Sequence, residues 1–157
     1  MRHTISVLVE NKFGVLARIA TLFAARGFNI DSLAVGVTEN PDVSSMTIIV
    51  KGNDKILEQV EKQLNKLIDV IKVIDFKEAK HVERDLALAK VKAYKTNRAE
   101  ILQIVKTFRA KIIDVSATSV IIEITGKEEK VDALINMLKP FGIKDMSRTG
   151  IIAMARG

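Results

Sequence analysis

The segment Glu10-Asn11-Lys12-Phe13-Gly14-Val15-Leu16 holds the residue types best suited to gripping a small charged ligand. Gly14 stands where a helix is expected to open, and the free N–H groups of a first helical turn, aided by the helix dipole, attract an anion such as a carboxylate. A glycine there also removes the side chain that would block close approach. Asn11 offers an amide oxygen and two N–H donors, suited to an ammonium group or to a carboxylate, and Asn29 offers the same further along. Leu16 and Ile30 can bound an aliphatic side chain. Together these groups suit a small apolar amino acid. A helix-opening glycine after an asparagine also fits a plain turn and cap, and spacing alone leaves both readings open.

Other chemistry is scarce. The two histidines, His3 and His81, have no carboxylates at metal-ligand spacing beside them, and the chain has no cysteine. Disulfides, thiolate zinc sites and cysteine nucleophiles are thereby excluded. No glycine-rich phosphate loop, nucleophile elbow or zinc motif occurs. Glu58 and Glu61 fall on a Lys-rich helix, where pairing with Lys62 or Lys66 explains them. No catalytic residue, metal site or activity of the chain alone is expected.

The elements that must position the loop are legible from periodicity. Ile5, Val7 and Val9 alternate with Thr4, Ser6 and Leu8, the signature of a strand. Val15, Leu16, Ile19, Leu22 and Phe23 follow at helical spacing, with Gly27 at the C-terminal cap. Residues 29–38 and 43–51 predict a hairpin around Glu39-Asn40-Pro41-Asp42. Ile56, Val60, Leu64 and Leu67 stripe a second helix, and residues 70–74 predict a closing strand. The same order recurs: a strand over 86–93, a helix with Ile101, Ile104, Val105 and Phe108, a hairpin of 112–116 and 120–125, a helix with Val131, Leu134, Ile135 and Leu138, and a last strand near 143–149. Asn97 with Glu100, and Thr125 with Glu128, have helix-capping spacing. The expectation is an α+β protein of two ferredoxin-like βαββαβ units, each an antiparallel sheet with helices on one face. Residues 1–76 form the first, 77–84 the joint, and 85–157 the second with a short tail.

Charge separates the halves. Residues 1–76 carry nine Lys+Arg against nine Asp+Glu, so the remaining sixteen and ten account for the net charge of +6. A basic second half suits an acidic partner surface, nucleic acid, or plain solvation. No apolar run approaches the roughly 18 residues of a membrane span, and no signal-peptide core precedes the first strand, so no membrane association and a cytoplasmic location are expected.

Glu10-Asn11-x-x-Gly14-x-Leu16-x-Arg18, continued by Leu22-Phe23-x-x-Arg26-Gly27-x-Asn29-Ile30-x-Ser32-Leu33, resembles the N-terminal ACT domain of acetohydroxyacid synthase (acetolactate synthase) small regulatory subunits. Met46-Thr47-Ile48, residues 57–67, His81-Val82-Glu83-Arg84, Ile112-Ile113-Asp114-Val115 and Arg148-Thr149-Gly150 extend the similarity over nearly the whole chain. The resemblance implies an N-terminal ACT domain and a C-terminal ACT-like domain. It implies a homodimer through paired ACT domains, with effector at their interface. Asn11, Gly14, Val15 and Leu16 would hold the polar end of the effector, while Asn29 and Ile30 complete the site from the partner chain. It further implies a regulator that activates a catalytic large subunit and confers feedback inhibition by valine or a related branched-chain amino acid. Thiamine diphosphate, magnesium and any FAD would belong to the large subunit, leaving this chain without a cofactor. An amino-acid-responsive transcriptional regulator is the alternative, since domains of this type also ride beside DNA-binding segments. No basic recognition helix is present and stacking aromatics are few, so no nucleic-acid partner is expected. An autonomous enzyme would rest on fold analogy alone.

Overall fold

The computed structural model describes residues 2–77 and 79–157. Contacts divide the chain into two compact units, one of residues 1–82 and 151–157, the other of residues 83–150. Glu78, inside the expected joint, lies outside the described residues.

In the first unit the order is β1 (Arg2–Glu10), α1 (Val15–Ala25), β2 (Asn29–Val37), β3 (Val43–Lys51), α2 (Asp54–Asn65) and β4 (Val70–Asp75). The sheet runs β2-β3-β1-β4, antiparallel throughout, with Ile5 opposite Ile48 and Val7 opposite Met46. Because side chains alternate across a strand, Ile5, Val7, Val9, Met46, Ile48 and Val50 all point to one face. Val15, Ile19 and Phe23 of α1, with Leu57, Val60 and Leu64 of α2, close over them. Each such enclosed side chain contributes about 1.5–3 kcal/mol. Helix α2 begins at Asn53, whose Oδ1 accepts from Ile56 N at 3.0 Å, a cap that stabilises by about 1 kcal/mol.

The opposite face of this sheet is covered as well, which the sequence did not disclose. Ile49 is fully buried there and Thr47 nearly so. The tail expected to trail the second unit lies here instead. A short strand β9 (Ile152–Ala155) packs against β1 and β3. Ile151 N donates to Ser32 Oγ at 3.1 Å and Ala153 N to Thr47 Oγ1 at 3.3 Å. Ile151 is 3% exposed, while Ile152 and Met154 point outward.

The second unit comprises most of β5 (His81–Lys92), then α3 (Arg98–Thr107), β6 (Lys111–Val115), β7 (Ser119–Gly126), α4 (Glu128–Leu138), a single 3-10 turn at Lys139–Phe141, and β8 (Ile143–Arg148). Strand β5 starts at His81, so half of the expected joint is strand. The sheet order β6-β7-β5-β8 matches that of the first unit. Val131, Leu134, Ile135 and Leu138 of α4 meet Ala87, Ala89, Val91, Val120, Ile122 and Ile124 in its core. Two anticipated caps differ. Asn97 Oδ1 accepts from Tyr94 N at 2.7 Å rather than from the helix, and α4 starts from Lys127 without a side-chain cap. Arg148 locks the unit: its guanidinium holds the buried Asp85 through Nε at 3.0 Å and through Nη2, and reaches Asp132 at 2.7 Å. Burial opposes the charge on Arg148, but hydrogen bonds to Asp85 and Asp132 outweigh it and raise its pKa further.

Candidate functional site

The loop between β1 and α1 is held from both sides. Glu10 N donates to Asp69 O at 2.8 Å, tying the loop to the turn before β4. Asn11 N donates to Asp42 O at 2.7 Å, and Asn11 Nδ2 to Pro41 O at 2.9 Å, fixing it to the β2–β3 turn. One N–H of Nδ2 is thereby engaged; the amide oxygen suits an ammonium group and the second N–H a carboxylate.

Gly14 has φ +84° and ψ −5°, the left-handed conformation, and precedes α1 without any side-chain cap. A β-carbon is disfavoured in that conformation, which explains glycine. The first α1 bond runs from Arg18 N to Gly14 O at 3.0 Å. The first-turn N–H groups ahead of it have no partner within the helix, and that of Val15 donates back to Lys12 O at 3.4 Å. No acidic side chain stands in this turn to compete for them. Val15 is buried in the core and so positions the turn, whereas Leu16 and Phe13 are exposed. Lys12 pairs with Glu10 at 2.9 Å, and that hydrogen bond raises the pKa of this exposed lysine.

Asn11, Gly14, Val15 and Leu16 therefore come together, but Asn29 and Ile30 do not join them within one chain. Asn29 pairs with Lys51 and so sits level with Arg2, whereas the loop follows Glu10 at the other end of β1. Eight residues of strand separate the two ends, about 26 Å. Asn29 Nδ2 donates to Asp31 Oδ1 at 3.2 Å, and Ile30 packs half-buried against its own core. Two residues the sequence reading passed over also belong here. Arg18 lies one helical turn from Gly14 and pairs with Asp69, its Nη2 at 2.6 Å. The four-residue spacing was legible; the partner, 51 residues away, was not.

Among the described residues, no group of three or more metal-ligating side chains clusters, and no helix is long and apolar enough to cross a membrane. The second unit carries a shallow groove of about 420 Å³ lined by Arg84, Lys127, Lys130, Glu129, Thr125 and Gly126.

The fold and the glycine-opened loop place the first unit in the ACT class of α+β domains. Residues 5–72 match a family model described as an AHAS small subunit-like ACT domain, and residues 84–157 one described as the small subunit of acetolactate synthase. A probable acetolactate synthase small subunit from Archaeoglobus fulgidus is 57% identical over 100% of this chain and 98% of its own length. The acetolactate synthase small subunit of Mycolicibacterium smegmatis is 54% identical over 99% and 91%. The crystal structure of the acetolactate synthase small subunit from Thermotoga maritima superimposes with a TM-score of 0.93 at 49% identity, covering 100% of this chain and 98% of that one. The chain belongs to the acetolactate synthase small-subunit family.

Proposed function

We propose that this chain is the regulatory partner of an acetolactate synthase catalytic subunit, which it activates and places under feedback inhibition by valine or a related branched-chain amino acid. The observation that carries the reading is the β1–α1 loop: a left-handed glycine, a first helical turn without a side-chain cap, and the Asn11 amide beside it, groups suited to the two charged ends of an amino acid. Thiamine diphosphate, magnesium and any flavin reside on the catalytic subunit in this reading, and the complex works in the cytoplasm. The basic groove beside α4 suits an acidic surface of that subunit.

The effector site is shared between two copies. Strand β2 is an edge strand, and Leu33, Val35 and Val37 on it are 37%, 45% and 61% exposed. Such an edge invites pairing with a second copy. Antiparallel pairing of two β2 strands about Leu33 sets the partner's Asn29 opposite Val37, at the end of the sheet that carries the Asn11–Leu16 loop. The separation of Asn29 from the loop within one chain is what a two-chain site requires. Val15 orders the turn from the core, and Leu16 and Ile30 border the aliphatic part of the ligand.

Calorimetric titration of the chain with valine, leucine, isoleucine, serine and alanine tests the reading. Saturable binding of branched-chain amino acids at one ligand per chain is expected, followed by valine-sensitive activity on reconstitution with a catalytic subunit. No binding of any of the five removes the effector site.

A further inference from the structure

We infer that Arg18 is a further effector-binding residue, the cation that meets the ligand carboxylate at the mouth of the β1–α1 loop. This rests on the loop being the effector site. Nε of Arg18 donates to Asp69 Oδ2 at 2.9 Å and Nη2 lies 2.6 Å from the same oxygen. Nη1 makes no hydrogen bond among the described residues. That nitrogen lies 3.1 Å from the point a β-carbon on Gly14 would occupy, directly over the residue whose missing side chain leaves room for the ligand. An anion resting on the first turn beside Gly14 therefore lies next to the unbonded nitrogen of a guanidinium held on its other edge by Asp69.

Both cations near the loop are paired, Lys12 with Glu10 at 2.9 Å and Arg18 with Asp69 at 2.6 Å, but the nitrogen over Gly14 belongs to Arg18. Asp69 is a positioning residue: its carboxylate is 14% exposed, against 50% for the Arg18 side chain, so it anchors the guanidinium from below while the free edge faces solvent. A pre-oriented guanidinium loses little freedom on binding a carboxylate, and charge-assisted hydrogen bonds are the stronger kind. The arrangement also distinguishes the two ends of an amino acid, with the ammonium directed to the Asn11 oxygen and the carboxylate to Arg18.

The test compares the unmodified chain with Arg18→Met, Arg18→Lys and Lys12→Gln, each titrated with valine and with valinamide, which keeps the ammonium and side chain but has no carboxylate. Thermal unfolding of each variant reports its fold. Arg18→Met should bind valine about 10- to 100-fold more weakly, Arg18→Lys should recover much of that loss, and Lys12→Gln should stay within about threefold of the unmodified chain. The preference for valine over valinamide should collapse in Arg18→Met. A folded Arg18→Met that binds valine like the unmodified chain overturns the role of Arg18 while the site stands, as does equal weakening of valine and valinamide. An unmodified chain that binds no branched-chain amino acid overturns the site and this inference with it.

Discussion

Replacing Gly14 with Asp places a carboxylate where the ligand carboxylate is proposed to rest. The left-handed conformation at φ +84° costs an L-residue about 1–2 kcal/mol. A negative charge at the start of α1 returns about 0.3–1 kcal/mol. The new β-carbon meets Arg18 Nη1 at 3.1 Å, a contact that the guanidinium relieves by shifting a few tenths of an ångström while keeping its tie to Asp69. Net destabilisation is therefore about 1 kcal/mol, a fall of roughly 2–4 °C in Tm for a chain of this size. The effect on the effector is larger. Two carboxylates about 4 Å apart at an effective dielectric constant of about 20 repel by about 4 kcal/mol, and the loss of affinity for valine is expected on the order of 10²–10³-fold. Gly14→Ala, with the same strain and no charge, separates the steric from the electrostatic part and should lose less. Calorimetric titration with valine, alongside thermal unfolding, reads both quantities. An aspartate variant that keeps valine affinity within about threefold of the parent would refute the placement of the carboxylate. A collapse of the fold would refute the strain argument.

Four further outcomes are expected. Ile151→Ala removes an enclosed side chain and should cost about 2–4 kcal/mol, with amide-exchange protection lost in β1 and β3 rather than in β6 and β7; protection lost only in the second unit would contradict the placement of the tail. Asp85→Ala leaves the Arg148 guanidinium over an unfilled, buried position and should destabilise the chain by about 3 kcal/mol in denaturant titrations, whereas a loss below about 1 kcal/mol would show the lock to be dispensable. Burial first, then the charges of Asp75 and Glu58, raise the pKa of Glu61, so the native state holds that proton more tightly than the unfolded chain and stability falls as pH rises through the window above the ordinary glutamate value. Glu61→Gln should accordingly be the more stable form at neutral pH, the advantage disappearing in acid; a pH-independent difference would exclude this cause. Val35→Lys, on the open edge of β2, should shift a dimer towards monomer in sedimentation by about 100-fold in Kd and weaken valine binding in step, and an unchanged dimer would move the interface elsewhere.

The sequence by itself determined whatever depends on neighbours within a few residues. Alternation in residues 4–9 and the stripes of all four helices follow from the 2.0 and 3.6 residue periods, and in α4 every stripe residue is buried. The β1–α1 loop was legible for the same reason, because a helix-opening glycine and the asparagine before it act locally. Tertiary structure alone decided what joins distant residues. Asn97, with sound capping spacing, serves Tyr94 instead of its helix. The tail reaches Ser32 and Thr47 across more than a hundred residues, and no periodicity in four strand residues reveals which sheet face lies open to receive them. Arg18 was visible one turn beyond Gly14, but the half-buried carboxylate that holds it comes from a loop brought near only when β4 joins the sheet. Asn29 completes the contrast: its residue type made it a candidate ligand group and the family resemblance assigned it to a partner chain, while strand register put it at the far end of its own sheet from the loop.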